Sequence, residues 1–418
     1  MPVPDSHASL DAQVDRDHAD AVAFLRELVR VPTDTPPGDN ARHAERTAEL
    51  LEAMGYAVER YPLPEPDVRA AGLTSITNLI VRRRFGEGPV VALNTHGDVV
   101  PPGEGWTRPP YAGVIEHGRM YGRGVAVSKS DFSTYVFALR ALERHAEAAD
   151  LSLAGTIELH LTYDEEFGGA LGPAWLLANG HTRPDLAFGP GFAYAIVTAH
   201  NGCLQLEVTV HGHAAHAAMP ETGVDALAAA TRILDALYAQ RAIYATRQSG
   251  VGGIASPTIN VGLIDGGTNT NVVPAKVVLK LDRRMIPEED PAGVEAELRG
   301  VIERAAESFP GIRIEIRRLL LARALAPKPG HERLVSLLQR NAQRVLGETI
   351  EAIASPLYTD ARLYGEAGVP VVLYGAGPRT ILESNAKRAD ENLVLEDLRR
   401  ATKVMASTLF DLLLPAGR

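Results

Sequence analysis

The alternation of apolar runs and amphipathic stretches predicts an α/β domain. Short apolar runs at residues 90–93 and 186–188 are typical of buried strands. Thr156–Thr162 alternates apolar with polar residues, which predicts a half-buried strand. Helical periodicity occurs between these strands, at residues 17–30, 41–54, 131–144 and 173–179. Strands that alternate with helices indicate a mostly parallel sheet covered by helices.

A different order of elements begins after residue 204. Its predicted elements are a strand at 204–210, a helix at 223–240, strands at 258–264 and 275–282, a helix at 291–308 and a strand at 312–316. The order β-α-β-β-α-β is that of a ferredoxin-like split unit. Helical patterns resume at 332–346 and 393–413. We therefore predict a discontinuous α/β domain, residues 1–204 and 321–418, with an inserted ferredoxin-like domain at residues 205–320.

Composition and charge limit the kinds of molecule that the protein is expected to bind. Of the 418 residues, 45% are hydrophobic and 22% are charged, as in soluble globular proteins. The net charge of −10, without a long single-sign run, argues against nucleic acid or an anionic membrane as a partner. No apolar run approaches the length of about 20 residues that a spanning helix needs. The polar, acidic start does not resemble a signal peptide, and the single Cys203 excludes an intrachain disulfide, so we expect a cytoplasmic protein.

The first candidate functional residues lie directly after the apolar run at residues 90–93, in the segment NTHGD at residues 94–98. His96 and Asp98 stand two positions apart at the predicted carboxyl end of a strand, where open α/β sheets bind ligands. A carboxylate at this spacing accepts one ring N–H and orients the imidazole towards the site. The alternative is that the two residues only cap the carboxyl end of the strand and have no catalytic role.

Two longer segments carry a family resemblance. THGDVVPPGEGWTRPPY, followed by GRMYGRG, and the later TYDEEFGG resemble the signatures of the di-zinc aminoacylase, acetylornithine deacetylase, succinyl-diaminopimelate desuccinylase and carboxypeptidase family of metallopeptidases. The resemblance extends from residue 17 to residue 413. It implies a zinc-peptidase-like α/β domain with an inserted lid domain, and a homodimer formed through that lid.

The resemblance also implies five zinc ligands and a general base. The base corresponds to Glu165, and two ligands are present as His96 and Glu166. The other three ligand positions hold Val127, Pro190 and Lys387. We therefore expect a divergent member that lacks most of the zinc ligands and has no metal cofactor, although zinc is expected for the family.

Lys387 changes the charge expected at this site. An ammonium has three hydrogen-bond donors and a positive charge, so beside Glu165 and Glu166 it replaces part of the missing metal charge. Two carboxylates without a cation repel each other, and one of them takes up a proton. We predict a zinc site converted into a Lys–Glu–His site. The alternative is a decayed site in which Lys387 is a solvated surface lysine.

Further site residues follow from the resemblance alone. In VHGHAAHAAMPETG it implies that His216 reaches the partner's active site and stabilises an oxyanion. In TNTNVVP and LDRRMIP it implies that Asn271 binds substrate and that Arg284 binds the substrate carboxylate. It also implies that the segments TDARL and YGAGP line the back of the cleft, and we expect Gly375 of YGAGP and Glu166 to contribute to substrate binding.

Four functional hypotheses remain open on the sequence. The first is an amidohydrolase acting on a small N-acyl amino acid, a dipeptide or a related carboxylate, with Glu165 as base, Lys387 and His216 stabilising charge, and His96 with Asp98 as a second acid/base. The second is a metal-free isomerase, racemase or lyase for the same substrates. The third is a non-catalytic amino-acid- or peptide-binding protein. The fourth is a conventional zinc enzyme whose ligands include Asp131, His200 or Asp390.

Overall fold

The computed structural model describes residues 6–415, apart from the side chain of Ile381. The chain separates into two compact units. The first unit contains the described residues up to Thr198, Pro327–Ile353 and the described residues from Thr359 onwards. The second unit contains Ala199–Ala326 and Ala354–Tyr358.

An eight-stranded mixed sheet organises the first unit. Its strands are β1 (Val58–Pro62), β2 (Thr77–Arg84), β3 (Val90–His96), β6 (Thr156–Thr162), β7 (Leu186–Gly189), β8 (Ala195–His200), β13 (Glu351–Ser355) and β14 (Val371–Leu373). They lie in the order β1-β2-β6-β3-β7-β14-β8-β13. Strands β6, β3, β7 and β14 are parallel, whereas β1 and β2 pair antiparallel at one edge. The carboxyl ends of β3 and β6 therefore lie side by side.

Helices cover this sheet and complete the core. They are α1 (Ser6–Val29), α2 (Ala41–Ala53), α3 (Glu65–Ala70), α4 (Lys129–Ala148), α5 (Pro173–Ala178), α8 (His331–Leu346), α9 (Ala361–Glu366), α10 (Ile381–Ser384) and α11 (Leu395–Leu413). Leu28, Leu139 and Met405, from α1, α4 and α11, are fully buried in one apolar cluster. Among residues 6–415, none of the helices combines the length and apolarity that a membrane span requires.

A small antiparallel sheet lies apart from the large one within the first unit. Its strands are β4 (Val114–Glu116), β5 (Arg119–Tyr121) and β15 (Asn392–Val394), in the order β15-β5-β4. Because β15 pairs with β5, the last helix begins at Leu395 rather than at residue 393 as the periodicity predicted.

The second unit has its own sheet and core. Strands β9 (Gly202–His211), β10 (Thr258–Gly266), β11 (Lys276–Met285) and β12 (Arg313–Ala322) form an antiparallel sheet in the order β10-β11-β9-β12. Two helices complete it, α6 (Ala226–Tyr244) and α7 (Pro291–Ala306). Leu206, Leu279 and Leu298 are fully buried in the same cluster, so the alternating apolar positions of β9 and β11 form a core with α7. The predicted fold class, an α/β sheet domain with a ferredoxin-like β-α-β-β-α-β unit, is confirmed.

The prediction that Thr156–Thr162 is a half-buried strand is wrong, because this strand, β6, is buried on both faces. Its polar face is buried because the polar groups find partners there. Glu158 accepts a hydrogen bond from Arg82 at 2.8 Å and lies 2.9 Å from His160 Nε2. His160 Nδ1 lies 2.7 Å from the hydroxyl of Tyr364. Buried polar groups are tolerated when they are hydrogen-bonded, so alternation of polar residues did not indicate exposure here.

Candidate active site

The candidate site lies where β3 and β6 end. His96 is the last residue of β3 and is aligned with Thr162, the last residue of β6. The chain after β6 forms a short 3₁₀ turn, Glu165–Phe167, which carries both predicted glutamates. Parallel pairing of the two strands therefore brings His96 and Glu165 to the same edge of the sheet.

His96 is held between Asp98 and Glu165. Its Nδ1 lies 3.0 Å from the backbone oxygen of Asp98 and 3.3 Å from the carboxylate Oδ1 of the same residue. Its Nε2 lies 3.8 Å from Oε2 of Glu165. The second carboxylate oxygen of Asp98 accepts a hydrogen bond from the backbone N–H of Glu166 at 2.9 Å. Asp98 thus joins the loop after β3 to the turn after β6, as well as contacting the imidazole.

The charges in this pair follow from burial and proximity. Burial alone lowers the pKa of His96, but the carboxylates of Glu165 and Asp98 outweigh it and raise that pKa to about 10. Burial raises the pKa of Glu165, and the attraction of His96 opposes that rise. The imidazole of His96 and the carboxyl of Glu165 thus influence each other's pKa across the 3.8 Å between them.

Lys387 contacts the second glutamate of the turn. Its Nζ lies 2.6 Å from Oε2 of Glu166, and its side chain is 50% exposed while that of Glu166 is 8% exposed. Partial burial acts to lower the pKa of Lys387, but attraction to Glu166 and Glu165 raises it above its ordinary value. The side chain is therefore a charged ammonium that bonds a buried carboxylate, not a lysine directed only at solvent.

Three of the five positions at which the family resemblance implies a zinc ligand hold Val127, Pro190 and Lys387. Within residues 6–415 no group of three or more His, Cys, Asp or Glu side chains is placed to hold a metal ion. Zinc sites in proteins need about three or four such ligands for each ion. Val127 uses its backbone N–H to bond Glu391 at 3.3 Å, and Pro190 directly follows β7. Neither side chain has a donor atom for a metal.

The residues proposed as substitute zinc ligands have other partners. Asp131 is buried and accepts a hydrogen bond from the backbone N–H of Ala376 at 2.8 Å, and burial raises its pKa to about 8. Asp390 accepts two hydrogen bonds from Thr107. His200 is in the second unit, with Nδ1 2.9 Å from the backbone oxygen of Asn201. The hypothesis of a conventional zinc enzyme with these ligands stays a prediction.

Gly375 has a packing reason to be glycine. A Cβ at this position would lie 1.9 Å from the carboxylate oxygen Oδ1 of Asp131. A contact that short is impossible, so any side chain here has to displace the buried carboxylate. The role of Gly375 in substrate binding stays a prediction.

Three predicted site residues belong to the second unit. His216 forms an isolated β-bridge with Val272, and the backbone oxygen of Asn271 accepts a hydrogen bond from Ala217 at 2.9 Å. His216 and Asn271 are thus brought together although they are far apart in the sequence.

Arg284 lies on β11 of the same unit. Its Nε is 2.7 Å from Oδ1 of Asp282, and its guanidinium lies 5.5 Å from the centre of the Tyr358 ring. The catalytic and binding roles of His216, Asn271 and Arg284 stay predictions.

A buried ion pair beside the site was not predicted from the sequence. Arg123 NH1 lies 2.6 Å from Oε2 of Glu391, and both side chains are 1% exposed. Two signals were available: a charged residue between Gly122 and Gly124, and a glutamate four residues after Lys387. Neither signal shows by itself that the two residues meet.

The structure thus combines an α/β sheet, which carries a histidine and two glutamates where parallel strands end, with a separate antiparallel sheet covered by helices. The sequence model of peptidase family M20/M25/M40 matches residues 92–411. The chain belongs to this family.

Several known proteins are similar over nearly their whole length. Succinyl-diaminopimelate desuccinylase of Acidiphilium cryptum (strain JF-5) is 28% identical over 401 residues, covering 94% of this chain and 98% of that protein. Among solved structures, the di-peptidase Dug1p of Saccharomyces cerevisiae has a TM-score of 0.77 at 15% identity, covering 96% of this chain and 98% of that one. The metallo-carboxypeptidase Sso-CP2 of Sulfolobus solfataricus has a TM-score of 0.75 at 18% identity, covering 94% and 98%. The two structures show the shared fold.

Proposed function

We propose that this protein is an amidohydrolase that cleaves a small N-acyl amino acid or dipeptide, with Lys387 in place of the two zinc ions. The observation that carries this proposal is the contact of 2.6 Å between Lys387 Nζ and Glu166 Oε2, beside the pair of His96 and Glu165. The names of the similar proteins, a desuccinylase and a di-peptidase, support the substrate class.

The set of side chains supports the loss of the metal. Of the five ligand positions that the family resemblance assigns, Val127 and Pro190 have no donor atom and Lys387 carries a positive charge. Only His96 and Glu166 are left, one for each ion, and a single protein ligand does not make a zinc site.

The chemistry uses the charges described above. In the proposed reaction Glu165 takes a proton from a water molecule, and the oxygen of that water then bonds the amide carbon. The negative charge that develops on the carbonyl oxygen is stabilised by the two N–H groups of Lys387 that are not directed at Glu166. The C–N bond breaks as the imidazolium of His96 gives a proton to the leaving nitrogen. The proton on Glu165 then returns to His96, whose Nε2 is 3.8 Å away, and the cycle closes.

The proposal keeps the substrate-binding roles that the family resemblance implies. In these roles Arg284 binds the substrate carboxylate, Asn271 binds substrate, and His216 stabilises the oxyanion in the partner's active site. The fixed orientation of the Arg284 guanidinium, which Asp282 holds through Nε, supports a directed carboxylate contact.

A second candidate is favoured by one observation, the distance of 3.8 Å between Nε2 of His96 and Oε2 of Glu165. An acid and a base at this distance are also what an isomerase, racemase or lyase needs for proton transfer at a carbon acid. In that case the amide bond stays intact and the substrate exchanges a carbon-bound proton with solvent.

The experiment combines metal analysis with a substrate screen. Protein purified without added zinc is tested for bound metal and for hydrolysis of N-succinyl and N-acetyl amino acids and dipeptides, with and without a chelator. We expect hydrolysis that survives the chelator with well under one zinc per chain. The variant Glu165→Gln should lose about 10²- to 10⁴-fold in kcat, whereas Glu147→Gln, at an exposed glutamate of α4, should retain activity.

The outcomes separate the candidates. Hydrolysis that stops with the chelator and returns with zinc contradicts the metal-free mechanism. Incorporation of solvent deuterium without amide cleavage selects the proton-transfer enzyme. Ligand binding that Glu165→Gln leaves unchanged, with no turnover by the unmodified protein, selects a binding protein.

A further inference from the structure

The segment that carries Lys387 has an unusual backbone. We call residues 385–391 the Lys387 loop. Within it, three residues other than glycine have left-handed φ angles: Asn385 at 51°, Lys387 at 61° and Asp390 at 54°. Asn and Asp adopt this conformation through local hydrogen bonds, but a lysine has no such compensation. The surrounding structure must therefore hold the loop in place.

The first anchor of the loop is Glu391. Its carboxylate accepts hydrogen bonds from the guanidinium of Arg123 at 2.6 Å and from the backbone N–H groups of Ala126 at 3.0 Å and Val127 at 3.3 Å. Its backbone oxygen accepts another from Gly122 at 2.9 Å. With a side-chain exposure of 1%, Glu391 ties the end of the loop to residues 122–127 inside the protein.

The second anchor is Asp390. Its carboxylate accepts hydrogen bonds from the backbone N–H of Thr107 at 3.0 Å and from the hydroxyl of Thr107 at 2.7 Å. The nearby Arg123 is held in turn by the backbone oxygen of Pro102 at 3.0 Å and lies 5.2 Å from the centre of the Trp106 ring. Consecutive residues of the loop are thus fastened to two separate parts of the chain.

The contact between Lys387 and Glu166 needs this support. A lysine side chain loses rotamer freedom when it is fixed, and an ion pair with one half-exposed partner contributes little by itself. The ion pair alone therefore does not determine where the ammonium lies. The backbone of the Lys387 loop does, because it sets the starting point and direction of the side chain.

We propose that Glu391 and Asp390 are positioning residues that hold Lys387 against Glu166. Glu391 acts through its carboxylate, which bonds Arg123 and the backbone at Ala126 and Val127. Asp390 acts through Thr107. The catalytic meaning of this arrangement rests on the proposed function, but the geometry does not.

The test measures the reactivity of the lysine amine directly. The full-length protein is acetylated with a trace of acetic anhydride at fixed pH, and the rate at each lysine is read by mass spectrometry. In Glu391→Gln and in Thr107→Val we expect acetylation of Lys387 to rise about fivefold or more, since a freed ammonium loses its carboxylate partner. Lys403, which bonds Asp15 at 2.8 Å, is the internal reference and keeps its rate.

Thr107→Val and a matched control distinguish loss of the loop anchor from general unfolding of the protein. Thr107 is exposed, so Thr107→Val removes one anchoring hydrogen bond without leaving a buried charge. The matched control is Thr74→Val, which removes a hydrogen bond of the exposed Thr74 to the backbone oxygen of Pro37 and should not change Lys387.

The readouts also separate the two proposals. An unchanged acetylation rate of Lys387 in both Glu391→Gln and Thr107→Val overturns the positioning role. A raised rate with unchanged kcat supports the positioning role and contradicts the catalytic role of Lys387. A raised rate with a kcat reduced about tenfold and an unchanged KM supports both.

Discussion

The Nζ of Lys387 lies 2.6 Å from Oε2 of Glu166, a residue 221 positions earlier in the chain. The ion pair joins the loop before β15 to the turn after β6, and its carboxylate side is buried while its ammonium side is half exposed. Such a pair is worth little to stability, about 0–1 kcal/mol. Its position beside Glu165 and His96 is the basis of the chemical role that we propose for it.

The first prediction compares the effect of losing the Lys387 ammonium on stability with its effect on activity. Lys387→Met should lower the free energy of unfolding by about 1–3 kcal/mol, because the lost ammonium is half exposed but the Glu166 carboxylate left without a partner is only 8% exposed. It should lower kcat/KM by roughly 10²-fold or more, since the donor to the developing oxyanion is lost. Urea denaturation and steady-state kinetics of the same preparations measure both. A large loss of stability with intact kcat/KM contradicts the chemical role.

The second prediction concerns the lost ligands. Restoring the family's ligand types with Val127→Asp, Pro190→Glu and Lys387→His together should create a site that binds about two zinc ions, with ligands of the usual His and carboxylate kind. Equilibrium dialysis followed by metal analysis gives the stoichiometry. The unmodified protein is the control, and two tightly bound zinc ions in it contradict the proposed loss of the metal.

The third prediction concerns the buried polar face of β6. Burial acts to raise the pKa of Glu158, but hydrogen bonds from His160, Thr182 and Arg82 outweigh it and lower that pKa from 4.5 to about 2. A carboxyl with a lowered pKa stabilises the fold above its unfolded pKa and loses that contribution as the pH falls through its folded pKa. Glu158→Gln should therefore cost roughly 3 kcal/mol near pH 7, and progressively less between about pH 4.5 and pH 2.

Urea denaturation at several pH values checks this dependence. Glu59→Gln is the matched control, because Glu59 binds the same Arg82 from a side chain that is 41% exposed. It should change stability by no more than about 1 kcal/mol at any pH. A cost of Glu158→Gln that stays constant down to pH 2 contradicts the assigned pKa.

The fourth prediction tests the contact between Gly375 and Asp131. Gly375→Ala should destabilise the protein by ~1–3 kcal/mol, because its Cβ meets the Asp131 carboxylate. Adding Asp131→Ala removes the clashing group, so the two substitutions together should cost clearly less than their sum. Gly252→Ala is the control, since a Cβ there meets open space. Additive costs in the double variant contradict the clash.

The fifth prediction concerns Arg362, whose side chain is 6% exposed. Its guanidinium donates to the backbone oxygen of Gly168, at the end of the turn that carries Glu165. Arg362→Lys should lower kcat by about tenfold or more through misplacement of that turn, with a smaller change in KM. Glu366→Gln, which removes the exposed partner of the same guanidinium, should leave kcat within about twofold. Equal losses in both variants contradict the positioning role.

Local patterns were enough for much of the fold. Alternation and helical periodicity correctly predicted the β-α-β-β-α-β unit. Each of its elements buries one face, so the apolar positions along the chain show which face is buried. The same logic failed for β6, whose polar residues are buried. Polar residues along a strand need hydrogen-bond partners, but the pattern does not show whether water or other protein groups supply them. In β6 the partners are Arg82, Thr182 and Tyr364, which lie elsewhere in the chain.

The sequence by itself determined the types of chemical group: a histidine and two glutamates after predicted strands, and a lysine where the family resemblance expects a ligand. Only the tertiary structure decided that Lys387 contacts Glu166, that Glu391 meets Arg123, and that Gly375 makes room for Asp131. The physical reason is that secondary structure follows from neighbours a few residues apart. These contacts join segments whose approach is determined by the packing of the whole sheet and its helices.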